Sequence, residues 1–340
     1  MNKKVLLTGI SGYIGNHCAV ELLKNGYSVR GSVRNLSKKE AVIEAINKKI
    51  DPKDNLEFCE LDLLEDKGWD KAMEGCEFVL HVASPFVMIE PKDENEYIKP
   101  AVDGTLRALK AAKKSGIKRV VLTSSMVSML ENADKSINVD SESWTNVKAK
   151  NVSAYAKSKT LAERAAWDFI NAQTDTTPME LSVVNPGPVF GPTLTGDLSG
   201  ASMGMFKQMM SGKMPMVPQA AINMSDVRDI AKIHVLALEN EAANGQRFIV
   251  GTEKPYSFQE MAQVMKSNGY DKVSTKLAPN FLLKLMANFN RDLKSMRGFI
   301  GKTYTADVSP AMKTFDWKPY DFKSTVLDTA KSVQQVIDNK

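Results

Sequence analysis

Tyr155 and Lys159 stand four residues apart in the run Ser153-Ala154-Tyr155-Ala156-Lys157-Ser158-Lys159. On a helix, positions i and i+4 share a face, so a phenol and an ammonium there reach one site. A free phenol titrates near ~10, too high for efficient proton exchange at neutral pH. A cation beside it favours the phenolate and lowers that value, so the pair is expected to give and take a proton. On a solvated helix face the same two residues do no chemistry, and the pattern gains meaning only through partners. Two are present: a glycine-rich loop near the N-terminus and the serine pair Ser124-Ser125.

The elements that must position these groups can be read from periodicity. Residues 153–170 place Ala162, Ala165, Ala166, Phe169 and Ile170 at helical spacing without Pro or Gly. Lys4 to Thr8 is a short, continuously apolar strand of the kind buried in parallel sheets. It runs into Gly9-Ile10-Ser11-Gly12-Tyr13-Ile14-Gly15 and then a helix with Ile14, Cys18, Leu22 and Leu23 on its inner side. Glycines three apart let the backbone turn tightly and approach a pyrophosphate, whose charge meets the helix N-terminus. The next strand, Tyr27 to Val33, ends in Arg34-Asn35-Leu36-Ser37-Lys38. An NAD site normally offers an acidic residue here for the ribose 2′-hydroxyl, and none occurs before Glu40. Arg34 and Lys38 suit a 2′-phosphate instead, so NADP(H) is the expected cofactor.

Strands at Leu56–Cys59, Glu77–Val82 and Arg119–Thr123 alternate with helices near 38–48 and 94–114. Asp62 and Leu63 are placed to meet an adenine. Val82 and the small Ala83 and Ser84 let backbone lie against a cofactor. His81, inside a strand, reads as a core histidine. Ser124 and Ser125 follow Thr123 at a strand's carboxyl end, where ligands sit in open α/β sheets. This alternation predicts the α/β class: a doubly wound parallel Rossmann sheet with a smaller C-terminal substrate domain.

The strand from Glu180 leads into Asn185-Pro186-Gly187-Pro188-Val189-Phe190-Gly191-Pro192, where the alternation stops. Residues 1–185 are therefore expected to form the NADP-binding Rossmann domain and 186–340 mainly the substrate-binding domain, with elements such as 225–251 able to return to the first. Residues 194–224 hold seven methionines from Met203 to Met224, read as core filler for most and pocket wall for some. Asp226 is placed to cap a helix, and 281–300 reads as a basic, amphipathic helical cover.

The chain has 340 residues, a net charge of +5 and no basic run broken by aromatics, which argues against a nucleic-acid partner. Three cysteines and three histidines without ligand spacing predict no metal and no disulfide framework. No apolar stretch approaches the ~20 residues that span a bilayer. A strand-like run begins at once, so a cytoplasmic protein without a signal peptide is expected.

Taken together, T-G-I-S-G-Y-I-G at 8–15, H-V-A-S-P-F at 81–86, T-S-S at 123–125, Y-A-K-S-K at 155–159 and N-P-G-P-V-F-G-P at 185–192 resemble the extended short-chain dehydrogenase/reductases. The branch they look like is that of the dihydroflavonol, cinnamoyl-CoA and aldehyde reductases. The resemblance implies that Tyr155 donates a proton to a carbonyl oxygen and that Lys159 lowers its pKa and holds the nicotinamide ribose. It gives Ser125 the role of positioning the substrate oxygen. The cofactor is then expected against Gly9, Ser11, Gly12, Tyr13, Ile14, Gly15, Arg34 and Lys38. Asp62, Leu63, Val82, Ala83, Ser84, Thr123, Tyr155, Lys159, Pro186, Gly187 and Val189 complete that expected surface. Phe86, Val87, Met126, Val127 and Met203 are expected to receive an apolar substrate. Met126-Val127-Ser128-Met129-Leu130 and Asn151-Val152-Ser153-Ala154 depart from the plant patterns, which argues against flavonoid and CoA-thioester substrates.

An NADPH-dependent carbonyl reductase, monomer or homodimer, is the reading these residues favour. A nucleotide-sugar epimerase or dehydratase shares the fold and the Tyr/Lys pair but usually keeps NAD. A non-catalytic NADPH sensor would have no use for the proton donor.

Overall fold

The computed structural model describes residues 2–84, 91–130, 136–290, 293–294 and 296–339. Its organising feature is a seven-stranded, wholly parallel sheet in the order β11-β7-β5-β4-β1-β2-β3. These strands are β1 (Lys4–Thr8), β2 (Ser28–Val33), β3 (Leu56–Glu60), β4 (Phe78–His81), β5 (Arg119–Thr123), β7 (Glu180–Pro186) and β11 (Arg247–Val250). Every residue of β4, β5 and β11 is buried, because helices cover both faces and leave no polar side. Val5 and Leu7 join one apolar cluster and Leu6 the other, the two-residue alternation of a strand. Each such buried side chain contributes ~1.5–3 kcal/mol.

The helices that cover the sheet are α1 (Tyr13–Lys24), α2 (Lys39–Asn47), α3 (Trp69–Met73), α4 (Asn95–Lys114), α5 (Ala154–Asn171) and α7 (Val227–Glu239). Two of their starts are set by side chains. Ser153 caps α5 by accepting from the Ala156 N–H at 3.2 Å, and Asp226 caps α7 by accepting from the Arg228 N–H at 2.8 Å. The α5 cap places Tyr155 in the first turn. From β1 the chain runs outward through β2 and β3, then returns to β4 and runs the other way through β5 and β7. The strand order therefore reverses between β1 and β4, and their carboxyl ends open a crevice.

After β7 the chain builds a smaller lobe. A two-stranded pair joins β8 (Val189–Phe190) to β10 (Ser225–Asp226). A four-stranded sheet runs β12-β9-β13-β6, from β6 (Ile137–Val139), β9 (Ala221–Ile222), β12 (Tyr256–Ser257) and β13 (Thr303–Ala306). This lobe borrows β6 from before residue 186 and returns α7 and β11 to the large sheet. α6 (Ala201–Met210), α8 (Phe258–Lys266) and α9 (Asn280–Met286) extend it; α10 (Ser309–Phe315) packs back against α7 and β11 with Ala311 and Phe315 in the large sheet's core, and α11 (Phe322–Asp338) closes the smaller lobe. Its core holds Met203, Met209, Met210 and Met224, with Met205 and Met214 packed on the edge. The expected helical cover over 281–300 differs in the structure: α9 has no buried residue, and Phe281 and Phe289 are 75% and 86% exposed.

Candidate active site

Ser125, Tyr155 and Lys159 come together at the carboxyl edge of the sheet. Ser125 follows β5 in an extended conformation and opens a short 3₁₀ turn, its hydroxyl accepting weakly from the Val127 N–H at 3.4 Å. That hydroxyl is also hydrogen-bonded to the Tyr155 phenol. One turn further along α5, the Lys159 Nζ donates to the Thr123 carbonyl at 3.3 Å. Thr123 is itself fixed, its hydroxyl 2.6 Å from His234 Nε2 while His234 Nδ1 lies 2.8 Å from the Ile230 carbonyl. That carbonyl needs a donor, so Nδ1 carries the proton and Nε2 accepts from Thr123. Burial holds His234 near 4 and His81 near 3, the latter also under the Lys159 charge. Both are therefore neutral, and His81 is bound to the Thr8 hydroxyl at 3.0 Å inside the core.

The electrostatics differ from the sequence expectation at one point. Lys159 was expected to lower the Tyr155 pKa, but burial dominates and pushes the phenol up to about 12, with only the Ser125 hydrogen bond acting to lower it. The ammonium is turned to the Thr123 carbonyl rather than the phenol. Burial also pulls Lys159 down to about 8, against the opposing pull of Glu163. Tyr155 is thus a protonated phenol at neutral pH, the form a donor needs.

The β1–α1 loop has the shape of a phosphate cradle. Gly9 has φ +71°, and a Cβ there would lie 2.9 Å from Ala83 Cα, where β1 and β4 open the crevice. A Cβ on Gly15 would lie 2.1 Å from the Gly9 carbonyl oxygen, so neither site admits a side chain. Gly12 starts α1 without a side-chain cap, and the first turn carries no acidic residue, which leaves the helix N-terminus ready for an anion. Arg34 and Lys38 are exposed beyond β2 and make no ion pair among the described residues. These donors fit the pyrophosphate and 2′-phosphate of NADP(H).

Of the other expected cofactor contacts, Ser11, Ile14, Val82, Ala83 and Ser84 lie half-buried around the crevice, with the Ala83 N–H held by the Thr8 hydroxyl at 3.0 Å. The Tyr13 hydroxyl is committed to the Gly191 carbonyl at 2.8 Å, so only its backbone and ring face the loop. Asp62 uses one oxygen to accept from the Leu64 N–H at 2.9 Å, and Leu63 packs where a Cβ on Gly104 would stand. Gly187 donates to Ser225 at 2.8 Å, between buried Pro186 and half-buried Val189.

The expected substrate residues are divided. Val127 borders a recess of about 20 Å³ together with Leu130, Val152, Phe299 and Tyr304, beside Ser153 and Ala156 at the start of α5. Met126 and Met203 do not border it; at 1% and 2% exposure they are packed into the smaller lobe's core. Phe86 and Val87 lie outside the described residues. Leu130, Val152 and Phe299 carry no motif, and the recess they line has room for about one water.

Behind the serine pair lies a buried ionic group that the motifs did not show. Glu163 is 1% exposed. Its Oε1 accepts from Arg247 Nε at 2.5 Å, and its Oε2 accepts from the Ser124 hydroxyl, from Ser128 Oγ at 2.6 Å and from Asn185 Nδ2 at 2.9 Å. The i+4 spacing from Lys159 was a usable signal for Glu163. Arg247 had none.

Residues 5–251 match the NAD dependent epimerase/dehydratase family. The chain is 32% identical to the NADPH-dependent methylglyoxal reductase GRE2 of Saccharomyces cerevisiae, over 97% of each chain. It is 33% identical to cinnamoyl-CoA reductase CAD2 of Medicago truncatula, over 77% of this chain and 79% of that one. Among solved structures, Gre2 from Candida albicans in complex with NADPH superposes with a TM-score of 0.79 at 26% identity, covering 98% and 99% of the two chains. The chain belongs to the NAD dependent epimerase/dehydratase family.

Proposed function

We propose that this member of the family is an NADPH-dependent carbonyl reductase that converts an apolar aldehyde or ketone to an alcohol. The observation that carries the reading is the Ser125–Tyr155 hydrogen bond with Lys159 one turn on, set at the carboxyl edge beside the glycine cradle. Its relatives, one named as a methylglyoxal reductase and one solved with NADPH, support the same chemistry. NADPH, when bound, supplies the hydride that the carbonyl carbon accepts.

The chain's own residues do the rest. The glycine cradle and the α1 N-terminus hold phosphate, and Arg34 with Lys38 selects the 2′-phosphate. Ser125 holds the carbonyl oxygen. Tyr155, protonated at neutral pH, releases its proton to that oxygen as charge develops there. The Lys159 ammonium, one turn along α5 and anchored on the Thr123 carbonyl, holds the nicotinamide ribose. Half-buried Val127, two residues after Ser125, offers the substrate apolar surface, worth ~0.8 kcal/mol per buried CH₂. Residues 1–185 and 186–340 are read as mainly cofactor and mainly substrate parts, with α7 and β11 serving the first. The protein is read as cytoplasmic, which the free Cys18, Cys59 and Cys76 support, and as a monomer or homodimer; no described helix is long and apolar enough to cross a membrane.

The test is NADPH oxidation with a matched series of aldehydes and ketones, plus a UDP-sugar and a CoA thioester. Values of kcat/KM should rise with added methylenes or an aromatic ring. A flat response, or preference for either phosphate-bearing compound, would overturn the reading.

A further inference from the structure

We infer that Glu163 is a positioning residue for this reaction: one buried carboxylate, a single helical turn beyond Lys159, grips the segment bearing Ser125. The inference rests on the reductase reading for its kinetic consequence, but its geometry stands apart from any substrate. Tyr155, Lys159 and Glu163 are spaced by four along α5, so all three share one face. Glu163 Oε2 takes donors from both sides of Ser125: the Ser124 hydroxyl before it and the Ser128 hydroxyl after it. Ser128 Oγ also lies 2.8 Å from the Ser125 carbonyl, and Asn185 Nδ2 lies 3.4 Å from that same oxygen. Ser125 therefore sits in a loop whose two ends converge on one carboxylate.

The other oxygen is held by Arg247, which donates further to the Ser141 and Ser143 carbonyls at 2.7 and 2.8 Å and stacks on Trp144 with 3.7 Å to the ring centroid. A carboxylate so fully supplied with donors is fixed in place. Around Lys159 stand Tyr155 and Glu163 from α5, neutral His81 from β4 and the Thr123 carbonyl from β5, with Arg247 of β11 behind the carboxylate. Glu163 supplies the negative charge that opposes the effect of burial on the ammonium.

The test compares wild type with Glu163→Gln and with the Glu163→Gln/Arg247→Met double variant, which removes both members of the buried ion pair. Thermal midpoint, NADPH affinity by fluorescence, kcat against pH, and the titration of ε-¹³C-labelled Lys159 by NMR are measured on each. Lys159→Met assigns the resonance. Glu163→Gln should lower kcat by about 10- to 100-fold, the cost of a small misplacement at a reacting centre, with NADPH affinity kept. Lys159 should lose its proton roughly one pH unit lower, and the alkaline limb of kcat should move with it. The double variant should recover the thermal midpoint but not kcat. Recovery of kcat together with the midpoint, or an unmoved Lys159 titration, would reduce Glu163 to a structural role and overturn the inference. If Glu163→Gln fails to fold, kcat in the double variant decides. If wild type reduces no carbonyl, the reductase reading fails separately, and the NMR titration still decides for or against the part of Glu163.

Discussion

At the amino end of β5, Arg119 meets Glu180 at the start of β7; beyond the carboxyl end of β5, Ser124 meets Glu163, itself paired with Arg247 of β11. Both arginines are buried, at 2% and 8% side-chain exposure. Their surroundings differ. Arg119 spends its remaining donors on the Ala237 and Asn240 carbonyls at the end of α7, where a cation suits the helix terminus. Glu180 is 28% exposed and partly hydrated. Glu163 is wholly enclosed and adjoins Lys159. The same ion pair thus fastens a helix at one edge of the sheet and borders the reacting groups at the other, the edge where parallel sheets place their ligands.

The largest effect that sharpens this contrast is Tyr155→Phe. It keeps the ring and deletes the hydroxyl, so turnover should fall by ~10²-fold or more while stability and NADPH binding hold. Near-normal turnover would remove Tyr155 from the mechanism. Lys159→Met probes the same edge through pH. Because the folded pKa is about 8 against an ordinary 10.5, the unfolded chain binds the extra proton between those values, and wild-type stability rises with pH across that window. The stability advantage of Lys159→Met over wild type should therefore shrink by on the order of 3 kcal/mol from pH 8 to 10.5, as read by urea unfolding. A constant difference would show that Lys159 is not perturbed.

At the opposite edge, Glu180→Gln should cost about 2–3 kcal/mol of stability, at or below the low end for breaking a buried pair because Glu180 is partly hydrated, with kcat per folded molecule unchanged. A tenfold fall in kcat there would break the comparison. Smallest is Arg34→Asp, beyond the carboxyl end of β2. Losing a charge-assisted contact of ~1.5–3 kcal/mol should move the NADPH/NADH ratio of kcat/KM by at least about tenfold. Equal use of both cofactors by the unaltered protein would already contradict that role.

The sheet was legible because its strands are short apolar runs set off by glycine and proline, as in Lys4–Thr8 and Arg119–Thr123. The Tyr155–Lys159 pair was legible because i+4 spacing fixes a helix face whatever the fold, and Ser125 because it follows a strand at its carboxyl end. Arg247 was not, since it meets Glu163 only through the β11–β7 pairing, 84 residues away in sequence. Met126 and Met203 show the same limit, for an apolar side chain near a site suits core and pocket alike and only packing tells them apart. The direction of the Tyr155 shift is not legible in the sequence, because spacing reveals a neighbouring charge but not the depth of burial.

The return of β11 to the edge of the large sheet also bears on how the protein is made. Its partner β7 ends at Pro186, and β11 begins at Arg247. At ~5–20 residues per second of synthesis, several seconds separate the two, during which β7 presents an unpaired edge. Such an edge is a template for pairing with another chain. The tunnel and chaperones of the host would shield it until Arg247–Val250 arrives. A slow codon run within 187–246 should therefore raise aggregation in the cell without altering one residue of the finished fold.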